Sequence, residues 1–474
     1  MKLELLSKDE LSLIHEKSLE ILNKIGVIIP HPKVIKLFKE HGAFIDDKNQ
    51  LVKIPSELIN ELLSHSSKEF TLYGRDLAKR AEFGKGKHNF NTSGGQAFWI
   101  DNVNQERRYA TLNDVITATR LAENLDQITI PGAMAEPHEL PLKIRSINIA
   151  YEMIKNTTKP ITFWFYDRAS TKYLVDLIIT LRGDEKSAIK FPICYPLLEP
   201  VSPLTFPFNG IDLLYETSKI NTPVQVGPMA QMGITAPATI AGTLAQENAE
   251  ILAGICVVQL INKGTPICYG GICHAFDMRS MQIIFGGPEQ ILFSLAMCEM
   301  GKYYNLPVYI NVGLTDSKIP DAQAGLECGM TLAFGMASGA DIFGHMGIAG
   351  ADQAASLDML ILQTEIISYL ERLQTPIKFD NSDFALDIIE KIGPKGSFIS
   401  TSHTREHYKR DLWFPTLLDR NRFETWLTKG GHSMRERLSK RRSELLSKIS
   451  SPPIASDLTQ DLENILISAK KQLL

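Results

Sequence analysis

The chain has 474 residues, 44% of them hydrophobic and 22% charged, so it carries ample apolar surface for a large core and lies far from the composition of disorder. Its net charge of -4 supplies no general basic field, which excludes binding of DNA or RNA through overall charge. No uninterrupted apolar run reaches the ~18 residues that span a bilayer, and the start is charged where a signal peptide needs its apolar stretch, so a cytoplasmic protein with no membrane partner is expected.

Ser7 followed by Glu10 forms a capping box, and Leu11, Ile14, Leu19 and Leu22 continue at helical spacing to a stop at Gly26. Further helices are predicted over 32–41 and after Pro55, with extended chain at 70–73 and 83–99. Residues 1–85 are therefore expected to form an N-terminal helical and β cap.

The dominant pattern is a short apolar strand, often introduced by a turn residue and a proline, that recurs along the chain. Clear copies occur at 159–164, 191–195, 222–226, 265–269 and 306–310; 340–343 repeats the pattern without proline, and 128–131 and 89–92 would complete eight. Helical stretches such as 245–261 and 291–303 lie between them. Alternating strands and helices imply a parallel sheet, and eight units favour an α/β fold closed as a (β/α)8 TIM-type barrel over 86–375. A GxGxxG dinucleotide fingerprint and a P-loop are both missing.

Residues 376–474 are expected to form a C-terminal helical extension that packs on the barrel and against a neighbouring subunit of a homo-oligomer. Phe379, Trp413, Phe414 and Trp426 would anchor it, 435–442 would be a solvated basic helix face, and a final helix would span 458–474. The six cysteines read as buried reduced thiols. Cys268, Cys273 and His274 cluster in sequence but lack a CxxC pair, so no metal site is expected.

In a barrel the strand carboxyl ends form the mouth of the active site. Period-two alternation turns Ile161, Phe163 and Phe165 toward the helices and Thr162, Trp164 and Tyr166 inward. The same logic turns Gln225, Tyr309 and Asn311 inward, and places His345 on the side of Phe343. The expected mouth is aromatic and neutral, with a histidine and no convergent pair of carboxylates, which disfavours acid–base hydrolysis. Aromatic faces suit a quaternary ammonium, held by cation–π attraction; plain barrel filling is the competing reading. Glycine-bearing connections at Gly94, Gly95, Gly227, Gly271, Gly313 and Gly347 would let a bulky partner or cofactor approach closely, with a phosphate cradle or simple turns as alternatives.

At these connections the chain resembles the trimethylamine methyltransferase family, in particular members that lack pyrrolysine. The resemblance is carried by Gly227-Pro228-Met229-Ala230 through Thr235-Ala236-Pro237-Ala238-Thr239, by Asn248-Ala249-Glu250-Ile251-Leu252-Ala253-Gly254, by Phe276-Asp277-Met278-Arg279 with Phe285-Gly286-Gly287-Pro288-Glu289, and by Ser317 through Gly325. It implies a barrel that moves a methyl group from a small quaternary amine to the Co(I) of a separate corrinoid protein. Glycine betaine, giving dimethylglycine, is the first expectation; proline betaine, carnitine and γ-butyrobetaine are close substitutes. In pyrrolysine-bearing members that residue falls near the segment that here runs from Asn311 to Asp321, with Gly313 in its place.

By strand alternation Trp164, Tyr166, Gln225, Tyr309, Asn311 and His345 are the candidate substrate-binding residues, with His345, Gln225 and Asn311 the candidates to orient any substrate carboxylate. Gly94, Gly95, Gly227, Gly271, Gly313 and Gly347 would face the corrinoid. The cobalamin would arrive bound to its own protein, because no Asp-x-His-x-x-Gly motif occurs here. Two other classes stay open at this point: a barrel lyase acting on a phosphorylated or carboxylated metabolite, and a non-catalytic amine-binding protein.

Overall fold

The computed structural model describes residues 3–101, 106–448 and 451–474. In α1 (Lys8–Glu20), Ser7 and Glu10 close the capping box, and after a π-helical turn at Ile21–Ile25 the chain stops at Gly26. A side chain there would face a φ of +87° and a contact of 2.6 Å with the Val52 carbonyl, so the stop requires glycine. Helices α2 (Pro32–Glu40) and α3 (Ser56–Ser64) follow, then an antiparallel hairpin of β1 (Phe70–Tyr73) and β2 (Arg80–Phe83).

The centre of the fold is α/β. Strands β3 (Asn89–Thr92), β4 (Leu197–Leu198), β5 (Val224–Val226), β6 (Ile267–Gly271), β7 (Val308–Ile310) and β8 (Ile342–Met346) form one sheet in the order β3-β8-β7-β6-β5-β4. Every neighbouring pair is parallel. The strand predicted at 191–195 enters this ladder later, at Leu197. Those predicted at 128–131 and 159–164 contribute single parallel bridges, Asn91 to Ile130 and Gly132 to Thr162, and the Ile161 amide donates to the Ile193 carbonyl at 3.0 Å. Pro131 and Pro160 lack the N–H that a longer ladder would use. Pro266 and Pro307, just ahead of β6 and β7, still serve the sheet: their carbonyls accept from the Val224 and Tyr269 amides at 2.9 and 2.8 Å.

Between these segments run α4 (Leu112–Glu123), α5 (Leu142–Asn156), α6 (Arg168–Arg182), α7 (Ile240–Ile261), α8 (Pro288–Tyr303), α9 (Ala322–Ser338) and α10 (Leu357–Gln374). One face of the sheet, with Val226, Tyr269, Ile310 and Phe343, joins the main core with these helices. The other face gathers Ile130, Tyr195, Cys268, Tyr309 and Ile342 against Phe70, Leu72 and Phe83 of the hairpin. The hairpin is held at the strands' amino ends: the Tyr73 amide donates to the Pro192 carbonyl at 2.7 Å, and the Gly84 amide to Asp341 Oδ1 at 2.5 Å.

Three expectations need correction. Helix α7 is long and apolar enough to cross a bilayer by length and composition, which a search for uninterrupted apolar runs missed because Gln246, Glu247, Asn248 and Glu250 interrupt it; most of its apolar window is buried in the core. After α11 (Ser402–Asp411), the basic run lies on α12 (Met434–Leu446), yet Arg442 is buried in an ion pair with Asp358 rather than solvated. The last helix, α13 (Ser456–Leu473), packs on α5 and α6 as the extension was expected to pack on the barrel, with Tyr151 and Tyr173 donating to Glu463 and Gln472 at 2.8 and 2.6 Å. Of the aromatics expected to anchor the extension, Trp413 donates to Ser368 Oγ at 3.0 Å, whereas Phe379 and Phe414 are exposed. The six cysteines are free thiols and buried.

Candidate active site

The inner face follows strand alternation closely. Tyr309 and Asn311 share a side, and the Tyr309 hydroxyl donates to Asn311 Oδ1 at 2.7 Å. Asn311 Nδ2 lies 3.4 Å from His274 Nε2, and its carbonyl accepts from Gln290 Nε2 at 3.0 Å. Gln225 is buried between Val224 and Val226, and its side chain has no hydrogen-bond partner among the described residues. Ile161 and Phe163 join the helix-side core, so Trp164 and Tyr166 extend along the inner side. Trp164 Nε1 donates to the Gly95 carbonyl at 2.9 Å. Its ring centroid stands 5.7 Å from that of His345, which stands 6.0 Å from that of Tyr309.

His345 reaches this group by a route that alternation does not supply. Phe343 stacks on Phe90 in the helix-side core and Ile342 faces inward, so an unbroken β8 would send His345 toward the helices. A register shift between Phe343 and Met346, with His345 at a φ of +68°, turns the imidazole back to the inner side. Gly344 makes room: a Cβ there would lie 1.6 Å from the Tyr309 hydroxyl oxygen. Burial lowers the His345 pKa to about 4 and that of His274 to about 3, so both rings are neutral at pH 7.

The expectation of a mouth without converging carboxylates is wrong. Glu199 follows the end of β4 and Asp352 lies in the connection after β8: desolvation, then the Asp352 charge, lifts the Glu199 pKa to about 7, and desolvation lifts that of Asp352 to about 6. By accessible surface both residues are exposed. Asp352 Oδ1 accepts from Gln96 Nε2 at 2.8 Å; the Glu199 carboxyl has no hydrogen-bond partner among the described residues. A third acid, Glu136, takes the Tyr166 hydroxyl proton as a hydrogen bond, faces Arg145 at 3.6 Å, and is raised in pKa by burial. Gln96, Glu136, Glu199 and Asp352 were missed from sequence, and His274 was considered there only within a cluster set aside as a metal site. Glu199 alone had an alternation signal there, being two steps beyond the inward Tyr195 and one beyond Leu197.

All six glycines expected at the mouth are buried, so none offers open surface to a partner. A Cβ at Gly94 or Gly95 would press on Trp164 or Glu136, one at Gly271 on Met297 of α8, one at Gly313 on Leu332 and Met346, and one at Gly347 on Met134; only Gly227 keeps ordinary contact distance, 3.4 Å from Gly270. Close packing accounts for most of them. Two buried side chains tie the connections behind the site. Gln363 accepts from the Gly347 amide at 2.7 Å and donates to the Gly313 carbonyl at 2.6 Å. Glu247 accepts from the amides of Ala230 and Ile272, each at 3.1 Å.

No group of three or more His, Cys, Asp or Glu arranged to hold a metal ion occurs among the described residues. The family model described as trimethylamine methyltransferase matches residues 1–473. The chain is 30% identical to the glycine betaine methyltransferase of Desulfitobacterium hafniense over 474 residues, spanning 100% of this chain and 98% of the relative. It is 28% identical to the trimethylamine methyltransferase MttB of Methanosarcina barkeri, spanning 99% of this chain and 96% of that one. The solved monomethylamine methyltransferase of Methanosarcina barkeri covers 99% of this chain and 94% of its own at 11% identity, with a TM-score of 0.49. A match over nearly the whole length, with a full-length relative at 30% identity, means that this chain belongs to the trimethylamine methyltransferase family.

Proposed function

We propose that the protein transfers one methyl group from a small quaternary amine to the Co(I) of a corrinoid carried by a separate protein. The observation that carries this is the aromatic group of Trp164 and Tyr309 around neutral His345, at ring separations of 5.7 and 6.0 Å, at the carboxyl ends of parallel strands. A quaternary nitrogen donates no hydrogen bond and is attracted to ring faces at about 6 Å or less. The relative named for glycine betaine supports the same class and makes that compound the first to assay.

In this reaction a C–N bond breaks and its electron pair leaves with the nitrogen as a neutral tertiary amine, while both electrons of the new C–Co bond come from Co(I). No proton moves, so the residues have no acid–base step to perform. Their work is to hold the cation with one N–CH3 bond pointing out of the recess, a proximity effect, and to exclude water around it. Cation–π attraction fades as the nitrogen loses charge, so it serves binding and release more than the barrier.

The proposal takes residues 86–375 as a closed eight-unit barrel, capped by 1–85 and extended by 376–474. The bridges from Asn91 to Ile130 and from Gly132 to Thr162, with the Ile161–Ile193 hydrogen bond, support closure because they run on from β3 toward β4. Partner contact is assigned to the rim of the connections that the buried glycines shape. Incubating the full chain with Co(I) corrinoid and a panel of quaternary amines tests the function. Loss of the Co(I) absorbance with release of tertiary amine is expected; no turnover with any member of the panel would overturn it.

A further inference from the structure

The stretch from 377 to 413 has regular structure but no core of its own. It leaves the end of α10, forms the short helices Asn381–Phe384 and Leu386–Ile392, and continues into α11. Of its residues only Ala385 is buried. Its roots are nevertheless fixed on α10: Arg372 Nη2 donates to the Asp411 carbonyl at 2.8 Å, and Glu365 accepts from the Thr416 and Leu417 amides at 2.9 Å each. Arg410 of α11 meets Asp383 at 2.8 Å, which ties the short helices to α11 as one body. Helices this short are marginal in water unless tertiary contacts cover them.

Nine large apolar residues from Ile377 to Leu412 are exposed, among them Phe379 and Leu386 at 71% and Ile399 at 83%. With a large side chain presenting about 150–250 Å², these residues leave roughly 1,000 Å² open. A monomer rarely exposes more than a few hundred Å² in one apolar patch, and one side of a stable interface needs about 800 Å². Phe379 packs on Phe384 at 6.5 Å and Tyr408 on Phe414 at 6.1 Å, and the Asp383–Arg410 pair joins the two sets. Charge is divided along the same stretch. Residues 380–390 carry Asp380, Asp383, Asp387 and Glu390 and no base, whereas 395–410 carry Lys395, Arg405, Lys409 and Arg410 against one acid, Glu406.

We propose that this arm packs against the same arm of a second copy of the chain across a two-fold axis. A two-fold contact sets position i of one copy against j of the other and j against i, so the acidic half of each arm meets the basic half of its mate while the apolar residues between them are covered. The corrinoid protein of the proposed reaction fits this face less well, because it must leave after each transfer and transient faces are smaller and more polar than permanent ones. The assembly is independent of which amine the site takes.

Sedimentation velocity and hydrogen exchange on the purified full chain test this. An even-numbered assembly of the 52.9 kDa chain is expected at low micromolar concentration. The amides of Leu386–Ile392 and Ser402–Asp411 should be protected far beyond what solvent-exposed short helices allow. Phe379→Asp with Leu386→Asp, and Ile399→Asp alone, should weaken self-association about a hundredfold or more, the scale of interface hot spots, with circular dichroism and melting of the barrel unchanged. A monomeric or odd-numbered wild-type protein, or free exchange of these amides, would overturn the inference. Variants that keep the full wild-type mass would also overturn it, because the copies would then meet elsewhere. The exchange measurement uses the unaltered chain and so decides the matter even if a variant misfolds.

Discussion

Gly344 is the position where one added methyl group should do the most damage to the site. A Cβ there would lie 1.6 Å from the Tyr309 hydroxyl oxygen and 2.1 Å from Cζ, against a ring that is 1% exposed and bonded to Asn311 at 2.7 Å. The ring cannot tilt toward solvent, so Gly344→Ala must break that hydrogen bond and push the ring or β8 aside. Losing the bond in a buried setting costs about 1 kcal/mol or more, and forced overpacking adds about 1–3 kcal/mol. A total of about 2–4 kcal/mol is therefore expected, read as a lower urea midpoint at unchanged slope, together with a raised KM for a quaternary amine. The clash is with Tyr309 specifically, so in a Tyr309→Ala background the same substitution should cost less than about 1 kcal/mol, a coupling that a double-mutant cycle isolates. A neutral Gly344→Ala, or an equal cost in both backgrounds, would refute the reasoning.

Trp164→Ala should raise KM by about 3- to 30-fold, the range of a cation–π contact, with the far-ultraviolet spectrum unchanged, while Trp164→Phe keeps part of the affinity; unaltered kinetics would remove Trp164 from the cage. Because the Glu199 pKa is raised in the fold from 4.5 to about 7, its neutral form stabilises the protein at low pH and that contribution is lost as pH rises through about 7. The melting temperature should therefore fall between pH 6 and pH 8.5, and fall less in Glu199→Gln. Lys159→Met strips the three carbonyls at the end of α4 of their donor and should cost about 2–4 kcal/mol of stability without changing KM.

How much of this was readable in the chain depends on whether a residue sits inside a regular element. Trp164, Tyr166, Gln225, Tyr309 and Asn311 lie on or at the ends of strands, where period-two alternation with the apolar residues beside them gives the side they face. His345 was placed at the site for a reason that does not hold, since it shares the parity of the outward Phe343 and is turned in by a bulge that no local pattern marks. Asp352 belongs to a connection in left-handed backbone, and Glu136 follows the strand segment that Pro131 interrupts; neither position has a periodicity to read. The acidity of the recess arises only when the ends of distant strands converge, which depends on the pairing of the whole sheet rather than on any window of sequence. For the same reason Arg442 looked solvated, its partner Asp358 lying 84 positions away.

The double grip of Gln363 makes the connections after β7 and β8 one mechanical unit. Its carboxamide joins the Gly347 amide to the Gly313 carbonyl, so a push on either is transmitted to the other across two short hydrogen bonds. A protein that presses on the segment after Asn311 therefore also loads the strand end that carries His345. Under the proposed function, docking of the partner and alignment of the ligand would be coupled through this one side chain, which already ties the two connections together in the folded protein.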